Sequence, residues 1–449
     1  MKNRKFQKTF FLIFFFLFFI SYFLLPSNVY PLSVKRTVLQ NGLVVLHSEE
    51  HSLPIVMITL LVKVGLLNEL KDKAGLANLT AELLTEGTKH RKSTDISEEI
   101  EFLGASLDAS AGSDYSTISL SILKKDINKG FELFSDILLN PIFPRDEIER
   151  KKEIIKGSLK QREEDPAFLV ERAFKKEVFD DHPYGRLIEG SAETIDNIKR
   201  EDLIRFYSDY FLPNNSILSV VGDLTEGELN SLINRYLSDW KRAELPLLAA
   251  KGLNEKRTRK IVKIDKEVTQ ANIILGHIGI SRDNPDYYAV SVMNYIFGGG
   301  GFSSRLMQFI RDKMGLAYDV ESYFTVNKEK GLFQVEVQTK NESADLVISE
   351  ILKQIGKIRK DYVSDDELSD AKLYLTGSFR RKLDTNRKIA DFLAAVEFYN
   401  LGLDYVEKYS GYINSITKED VLRVAKKYID PENYVLVIVA NQRKADLKY

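Results

Sequence analysis

The chain of 449 residues has no cysteine. Disulfides, a thiolate nucleophile and cysteine-ligated zinc are thereby excluded together, and the redox compartment is left open. Histidine is scarce: there are only five to serve metal chemistry. Neither sign of charge dominates, because 64 basic and 65 acidic side chains give a formal net charge of -1 and are interspersed along the chain. Such a solvated surface gives no footprint for nucleic acid. What is plentiful is apolar. The hydrophobic fraction of 44% can fill proper cores, in a chain too long for one ordinary domain and suited to two of about 200 residues each.

One long apolar run stands at the start. Lys2, Arg4, Lys5 and Lys8 precede residues 10–25, rich in Phe, Leu and Ile, which is the pattern of an export signal. At about 1.5 Å per residue the run is roughly 24 Å long, shorter than a bilayer core of about 30 Å. PSNVYPLS offers no alanine for cleavage, so residues 1–30 are expected to be either a signal peptide or a membrane anchor held through residues 10–25. In both cases the folded part is exported, to the periplasm or the outer face of the cytoplasmic membrane.

Beyond it, VKRTVLQNGLVVLHSEEHSLPIVMITLLVKVG reads as two strands joined at HSEEHSLP, with an earlier turn at Asn41-Gly42. A helix follows at GLANLTAELLTEGT, where Leu76, Leu79, Leu83 and Leu84 form a buried stripe. TDISEEIEFLGAS reads as a second helix and LDASAGSDYSTISLSIL as a strand pair. Helical patterns run over 127–164 with a break at Pro141 and Pro144, and SILSVVGDL is a buried strand. Residues 241–258 lack periodicity and are expected to be a linker.

After the linker the order of elements starts again. Residues 198–223 align without gaps on 416–441, and Ile198, Glu201, Asp202, Arg205, Tyr210, Pro213, Asn215, Leu218 and Val221 all recur. A second match pairs 146–160 with 366–380. The expectation is therefore an α+β protein of two tandem homologous domains, 34–240 and 259–449, each an antiparallel sheet covered by helices.

The second domain holds the most distinctive stretch, NYIFGGGGFSSRLMQFIRDKMGLAYDVESY. Gly298, Gly299, Gly300 and Gly301 let the backbone approach another chain without a Cβ in the way. Ser303 or Ser304 can cap the helix that follows, Leu306, Phe309 and Ile310 give it a buried face, and Gly315 can end it in a left-handed conformation. The turn would bring Arg311 and Tyr318, at the start of a strand, near the glycine loop as a peptide-gripping surface. Setting Gly104 on Gly315 in the repeat places Ile100 opposite Arg311 and Leu107 opposite Tyr318. Two apolar positions of the first half have become a guanidinium and a phenol, which a purely structural role does not predict.

The duplicated halves, the NGLVVL strand and the order glycine loop, RDKMGLAY, strand resemble the pitrilysin and insulinase family of inverted zinc peptidases. The resemblance is to the short two-domain type that includes mitochondrial processing peptidase. In that family the first helix carries HxxEH within a G-x-A-H-x-x-E-H-x-x-x-x-G-T frame, with two zinc-binding histidines and a glutamate base. Here the frame is kept without its chemistry: the ligand positions are Asn78 and Glu82, the base position is Ala81, and the third ligand would fall at about Ser158. The resemblance implies the non-catalytic, HxxEH-lacking subunit of a paired peptidase. On that reading zinc resides on the HxxEH-bearing homologous partner, and Gly298, Gly299, Gly300, Gly301, Arg311 and Tyr318 bind the peptide substrate. Two alternatives stay open, a structural or peptide-binding scaffold of the same fold, and a stand-alone zinc peptidase using His47 and His51. His47-Ser48-Glu49-Glu50-His51 matches HxxEH by letter, but in a hairpin context rather than on the helix where histidines four apart share a face. His90, His182 and His277 are isolated and read as structural or solvated.

Overall fold

Turn chemistry sets the first strands. Gly42 takes a φ of +89°, and the Asn41 side chain accepts the Leu43 N–H at 3.2 Å, so that β1 (Lys35–Val38) folds back antiparallel on β2 (Val44–Glu49). Next come β3 (Ile55–Val62), α1 (Leu76–Glu82), α2 (Ser93–Leu103), β4 (Ser106–Ala111) and β5 (Ser116–Leu123). The chain then runs through α3 (Ile127–Leu139), α4 (Arg145–Arg162), α5 (Pro166–Phe179), α6 (Ala192–Asn197) and α7 (Arg200–Tyr210) to β6 (Ser216–Gly222) and α8 (Glu226–Tyr236). The second half has β7 (Lys260–Asp265), β8 (Gln270–Ile278), α9 (Tyr287–Asn294), β9 (Ala317–Phe324), β10 (Leu332–Lys340), α10 (Ala344–Ile358) and α11 (Asp365–Phe379). It closes with α12 (Asn386–Phe398), α13 (Tyr405–Asn414), α14 (Lys418–Tyr428), β11 (Val435–Ala440) and α15 (Gln442–Ala445).

This computed structural model describes residues 33–246, 252–253, 258–445 and 447–448. The expected signal or anchor, residues 1–30 with the run 10–25, lies outside the described residues, as does much of the expected linker 241–258. Among the described residues no helix is long and apolar enough to cross a membrane.

The strands form two sheets, ordered β1-β2-β6-β3-β5-β4 and β7-β11-β8-β10-β9. From β2 onward the first order maps strand by strand onto the second, so the sequence repeat is a repeat of topology. Neither sheet is wholly antiparallel as expected: β2 runs parallel to β6, and β7 runs parallel to β11. Alternation reports which face a residue occupies and not strand direction, and the long helical excursion before β6 and β11 is the connection a parallel pair needs. HSEEHSLP is likewise not a hairpin, because β6 lies between β2 and β3.

Every residue of β6 and of β11 is buried, which requires cover on both faces of each sheet. One face carries helices of the same half. The other carries a helix of the opposite half: α5 packs on β8 and β11, and α12 packs on β3 and β6. In the first exchange Val170, Phe174 and Phe179 meet Ile274, Val435, Val437 and Val439. The boundary between 34–240 and 259–449 is thus a boundary of sequence and not of packing. Polar contacts accompany the exchange, as where the Thr59 hydroxyl donates to Asp391 of α12 at 2.8 Å.

Candidate functional site

The glycine run is neither open loop nor connector. The helix α9 passes into a π-helical turn at Tyr295–Gly299, a 3-10 turn follows at Gly301–Ser303, and Met307–Lys313 is again π-helical. Such widened turns recur where a functional group has to be re-aimed. A Cβ on Gly298 would lie 2.5 Å from Ser322 Oγ, and one on Gly299 would lie 2.6 Å from the Asn294 amide. Gly298 is buried, and its lack of a side chain lets this segment pack closely on β9. The Asn294 amide donates to Ser322 O at 3.0 Å, and Ser322 Oγ donates to Asn294 Oδ1 at 2.8 Å. On the other side Arg305 makes a two-pronged ion pair with Glu367 of α11, at 2.6 and 2.9 Å. The loop is braced at both ends.

Of the two candidate caps, Ser304 is the buried one, and its Oγ and carbonyl accept the Met307 and Gln308 N–H groups. Gly315 takes a φ of +64° and returns its N–H to Arg311 O at 2.9 Å, while Leu316 N–H reaches Ile310 O at 3.0 Å. The reversal brings the expected pair together: Arg311 Cζ lies 5.3 Å from the centre of the Tyr318 ring. It also brings a residue the sequence reading missed, Phe302, whose ring centre is 4.6 Å from Arg311 Cζ. Tyr318 is 84% exposed and Phe302 68% exposed. The guanidinium is held between two aromatic faces, with Asp312 Oδ1 3.9 Å away and, among the described residues, no hydrogen-bond acceptor. Stacking orients it and leaves its N–H fork free. An exposed Phe directly after four glycines was the available signal.

The motif helix keeps its place in the fold. Gly75 opens α1 with a φ of +98°, and the buried Glu69 carboxyl caps it by accepting Gly75 N–H at 3.0 Å and Ala77 N–H at 2.6 Å. Burial pushes that carboxyl up to about 8, against the opposing pull of the two N–H groups. At the former ligand positions the Asn78 amide donates to Glu82 Oε1 at 3.0 Å, and Ala81 is wholly buried. Lys151 of α4, also unforeseen, sets its ammonium 3.6 Å from Glu82 Oε2 and 3.1 Å from Glu86 Oε1. Ser158 and Gly157 are exposed on the same helix. An amide, an apolar methyl and a carboxylate already facing a fixed cation do not suit zinc, which takes neutral imidazole, thiolate or carboxylate donors.

The five histidines have other occupations. His47 is buried on β2 with Nε2 2.9 Å from Leu224 O. His51 is exposed, with Nδ1 2.7 Å from Asp223 and Nε2 3.4 Å from Glu49. Its nitrogens face different carboxylates, and Asp223 is shared with Lys124. His90 pairs with Asp136 and His182 with Glu329. His277 accepts the Asp430 N–H at 3.0 Å.

Comparison with known proteins agrees with this architecture. Residues 44–192 match the family described as insulinase (peptidase family M16), and residues 197–375 match the peptidase M16 inactive domain. The chain is 28% identical over 411 residues to an uncharacterized zinc protease of Rickettsia bellii, covering 91% of this chain and 92% of that one. It is also 28% identical over 414 residues to the non-peptidase homolog YmxG of Helicobacter pylori, covering 89% and 92%. A solved structure described as a peptidase M16 inactive domain, from Pseudomonas fluorescens, superposes with a TM-score of 0.85 at 29% identity, covering 91% of this chain and 98% of that one.

Proposed function

The chain belongs to the insulinase family of M16 peptidases, and from that premise we propose that it is the non-catalytic, substrate-binding subunit of a heteromeric zinc metallopeptidase acting on peptides or unfolded polypeptides. The observation that carries this reading is Arg311. Its guanidinium is oriented by Phe302 and Tyr318 and, among the described residues, has its donors uncommitted, at a position that the sequence alignment of the two halves sets opposite Ile100. The donor set around Asn78, Glu82 and Lys151 supports the other half of the reading, that the metal and its base reside on an HxxEH-bearing homologous chain. A relative named a non-peptidase homolog is in keeping with it.

In this mechanism Arg311 and the Tyr318 hydroxyl hydrogen-bond a backbone carbonyl of the substrate near the scissile bond. The braced glycine turns fix where those donors point, so the peptide is oriented without reorganisation when the partner acts, and charge developing on the carbonyl oxygen is met by donors already in place. The exported location expected from residues 1–30 belongs to the same proposal.

The test is peptide cleavage and zinc content, for the chain alone and mixed with an HxxEH-bearing homologue. We expect no stoichiometric zinc and no cleavage alone, and cleavage in the mixture. Arg311→Ala should then lower kcat/KM of the pair by about ten- to a hundred-fold, and Tyr318→Phe by less. Unchanged cleavage by both variants would remove these residues from the mechanism, and an inert mixture would favour the scaffold reading. Stoichiometric zinc on the isolated chain would return attention to His47 and His51.

A further inference from the structure

A cavity of about 780 Å³ opens between α4, α5 and the segment 185–194. It is built from other residues than Arg311 and its neighbours, and its chemistry is independent of the subunit reading. Leu159, Ala173 and Leu187 give it an apolar wall, and cations stand over that wall. Three of them are already neutralised: Lys71 by Asp181, Lys156 by Glu153 and Asp196, and Arg172 by Glu163. The two acidic residues of the lining are equally engaged, Glu163 with Arg172 and Glu177 with Lys260. Three cations remain. Lys160 and Lys176 are exposed and form no ion pair among the described residues. Arg186 donates one bond, from Nη2 to Asp181 O at 3.3 Å, while its buried Nη1 has no partner.

A buried guanidinium N–H without an acceptor is costly to leave unmade. Burial lowers the Arg186 pKa, and the neighbouring charges that oppose the shift are Glu69 and Asp181. The Glu69 carboxyl is itself buried and pushed up by that burial, and Asp181 is shared with Lys71. The chain as a whole is balanced in charge, yet here Lys160 and Lys176, without an ion pair among the described residues, join Arg186 in lining one apolar-walled cavity. A concave, mostly apolar site with a few convergent polar groups is the ordinary form of a small-molecule site.

We propose that this cavity binds an oxyanion carried on an apolar body, its phosphate or carboxylate held by Lys160, Lys176 and Arg186 and its body lying against Leu159, Ala173 and Leu187. The guanidinium supplies directional donors and the two ammoniums supply charge. The probe is 1-naphthyl phosphate, followed by its own fluorescence, with 1-naphthol and inorganic phosphate as the two halves of the ligand. We expect saturable 1:1 binding of the naphthyl phosphate, and at least tenfold weaker binding of either half. Lys160→Gln with Lys176→Gln, both at the surface, should weaken it at least tenfold, and raised salt should weaken it as well. Arg186→Gln should weaken it further, and because that side chain is half-buried the lysine pair remains the deciding variant. A second arm measures retention on phosphatidylcholine vesicles containing phosphatidic acid. Retention that the lysine variant loses assigns the oxyanion to a lipid headgroup, and naphthyl phosphate binding without retention assigns it to a free molecule. Affinity unchanged within twofold in the lysine variant, or 1-naphthol binding as tightly as its phosphate, would overturn the proposal.

Discussion

A glycine is informative when a specific atom stands where its Cβ would be. At Gly298 those atoms are Ser322 Oγ at 2.5 Å and Leu306 Cδ1 at 2.8 Å, so Gly298→Ala pries the glycine turn from β9 and should destabilise the protein by about 1–3 kcal/mol. At Gly301 the space is open and only the backbone objects, with a φ of +54°, so Gly301→Ala should cost about 1 kcal/mol. Urea denaturation of the two variants separates the effects. Two carboxyls give opposite pH dependences. Asp286 is held down at about 2 by bonds from Lys427, Tyr428 and Arg423 that outweigh its burial. Its contribution is present above the ordinary value of 3.8 and lost as pH falls through 2. Solvent screens the half-exposed Arg423 and Lys427, so Asp286→Asn should remove on the order of 1 kcal/mol at neutral pH and flatten the acid limb of the stability curve. Glu69, pushed up from 4.5 to about 8, works the other way. Its contribution is full below 4.5 and lost as pH rises through 8, because there the unfolded chain has given up a proton the folded one keeps. Stability should fall across that window by at most about 1.4 kcal/mol per pH unit, and Glu69→Gln should flatten the slope in denaturation measured from pH 5 to 8.

Elements show how far the chain could be read without coordinates. The stripe Leu76, Leu79, Leu83 and Leu84 announces α1 and the 3-10 turn Leu83–Thr85 that continues it, because helical period and burial coincide, and all four are buried. Asn41-Gly42, Gly104 and Gly315 mark turns because each demands a local conformation, and the three glycines take a positive φ. The juxtaposition of Arg311 and Tyr318 was legible for the same reason, since one left-handed residue between a helix and a strand fixes where both point. Phe302 and Lys151 were not legible. Phe302 sits in a turn with no period, and Lys151 reaches Glu82 and Glu86 from α4, a contact of the fold rather than of neighbouring residues. The same limit hid the role of α5. Its apolar residues predict a buried face but not the sheet that buries it, and that sheet belongs to the other half. Phe174 is wholly buried there, so Phe174→Ala should destabilise by about 3–5 kcal/mol. Hydrogen exchange should quicken first in β8 and β11, which lie some hundred or more positions away along the chain; loss of protection confined to β2 and β3 would contradict the exchange.

For the whole molecule the exchange decides whether a half can stand alone. Each sheet needs one helix that the other half supplies. Side chains of the α5 layer such as Val170, Phe174, Val437 and Val439 are fully or almost fully buried. At about 1.5–3 kcal/mol for each such side chain, baring one layer removes an amount comparable with the roughly 5–15 kcal/mol that holds a typical domain together. Polar ties add to the dependence. The buried Asp114 accepts the Tyr184 hydroxyl of its own half, and from the other half the Lys328 N–H at 2.8 Å and the Tyr399 hydroxyl at 3.4 Å. The repeat made two tandem homologous domains the expectation, and it left their packing open, because similarity between segments reports common descent and is silent about which surfaces they share. Separate expression of residues 34–246 and 258–449 tests the difference. Each fragment alone should lack a cooperative thermal transition and be cut by protease throughout its sheet, whereas fragments refolded together should recover one transition and resist the protease as the intact chain does. If either fragment alone melts cooperatively with protected strands, the borrowed helix is an accessory, and the halves are domains in the thermodynamic sense as well as in sequence.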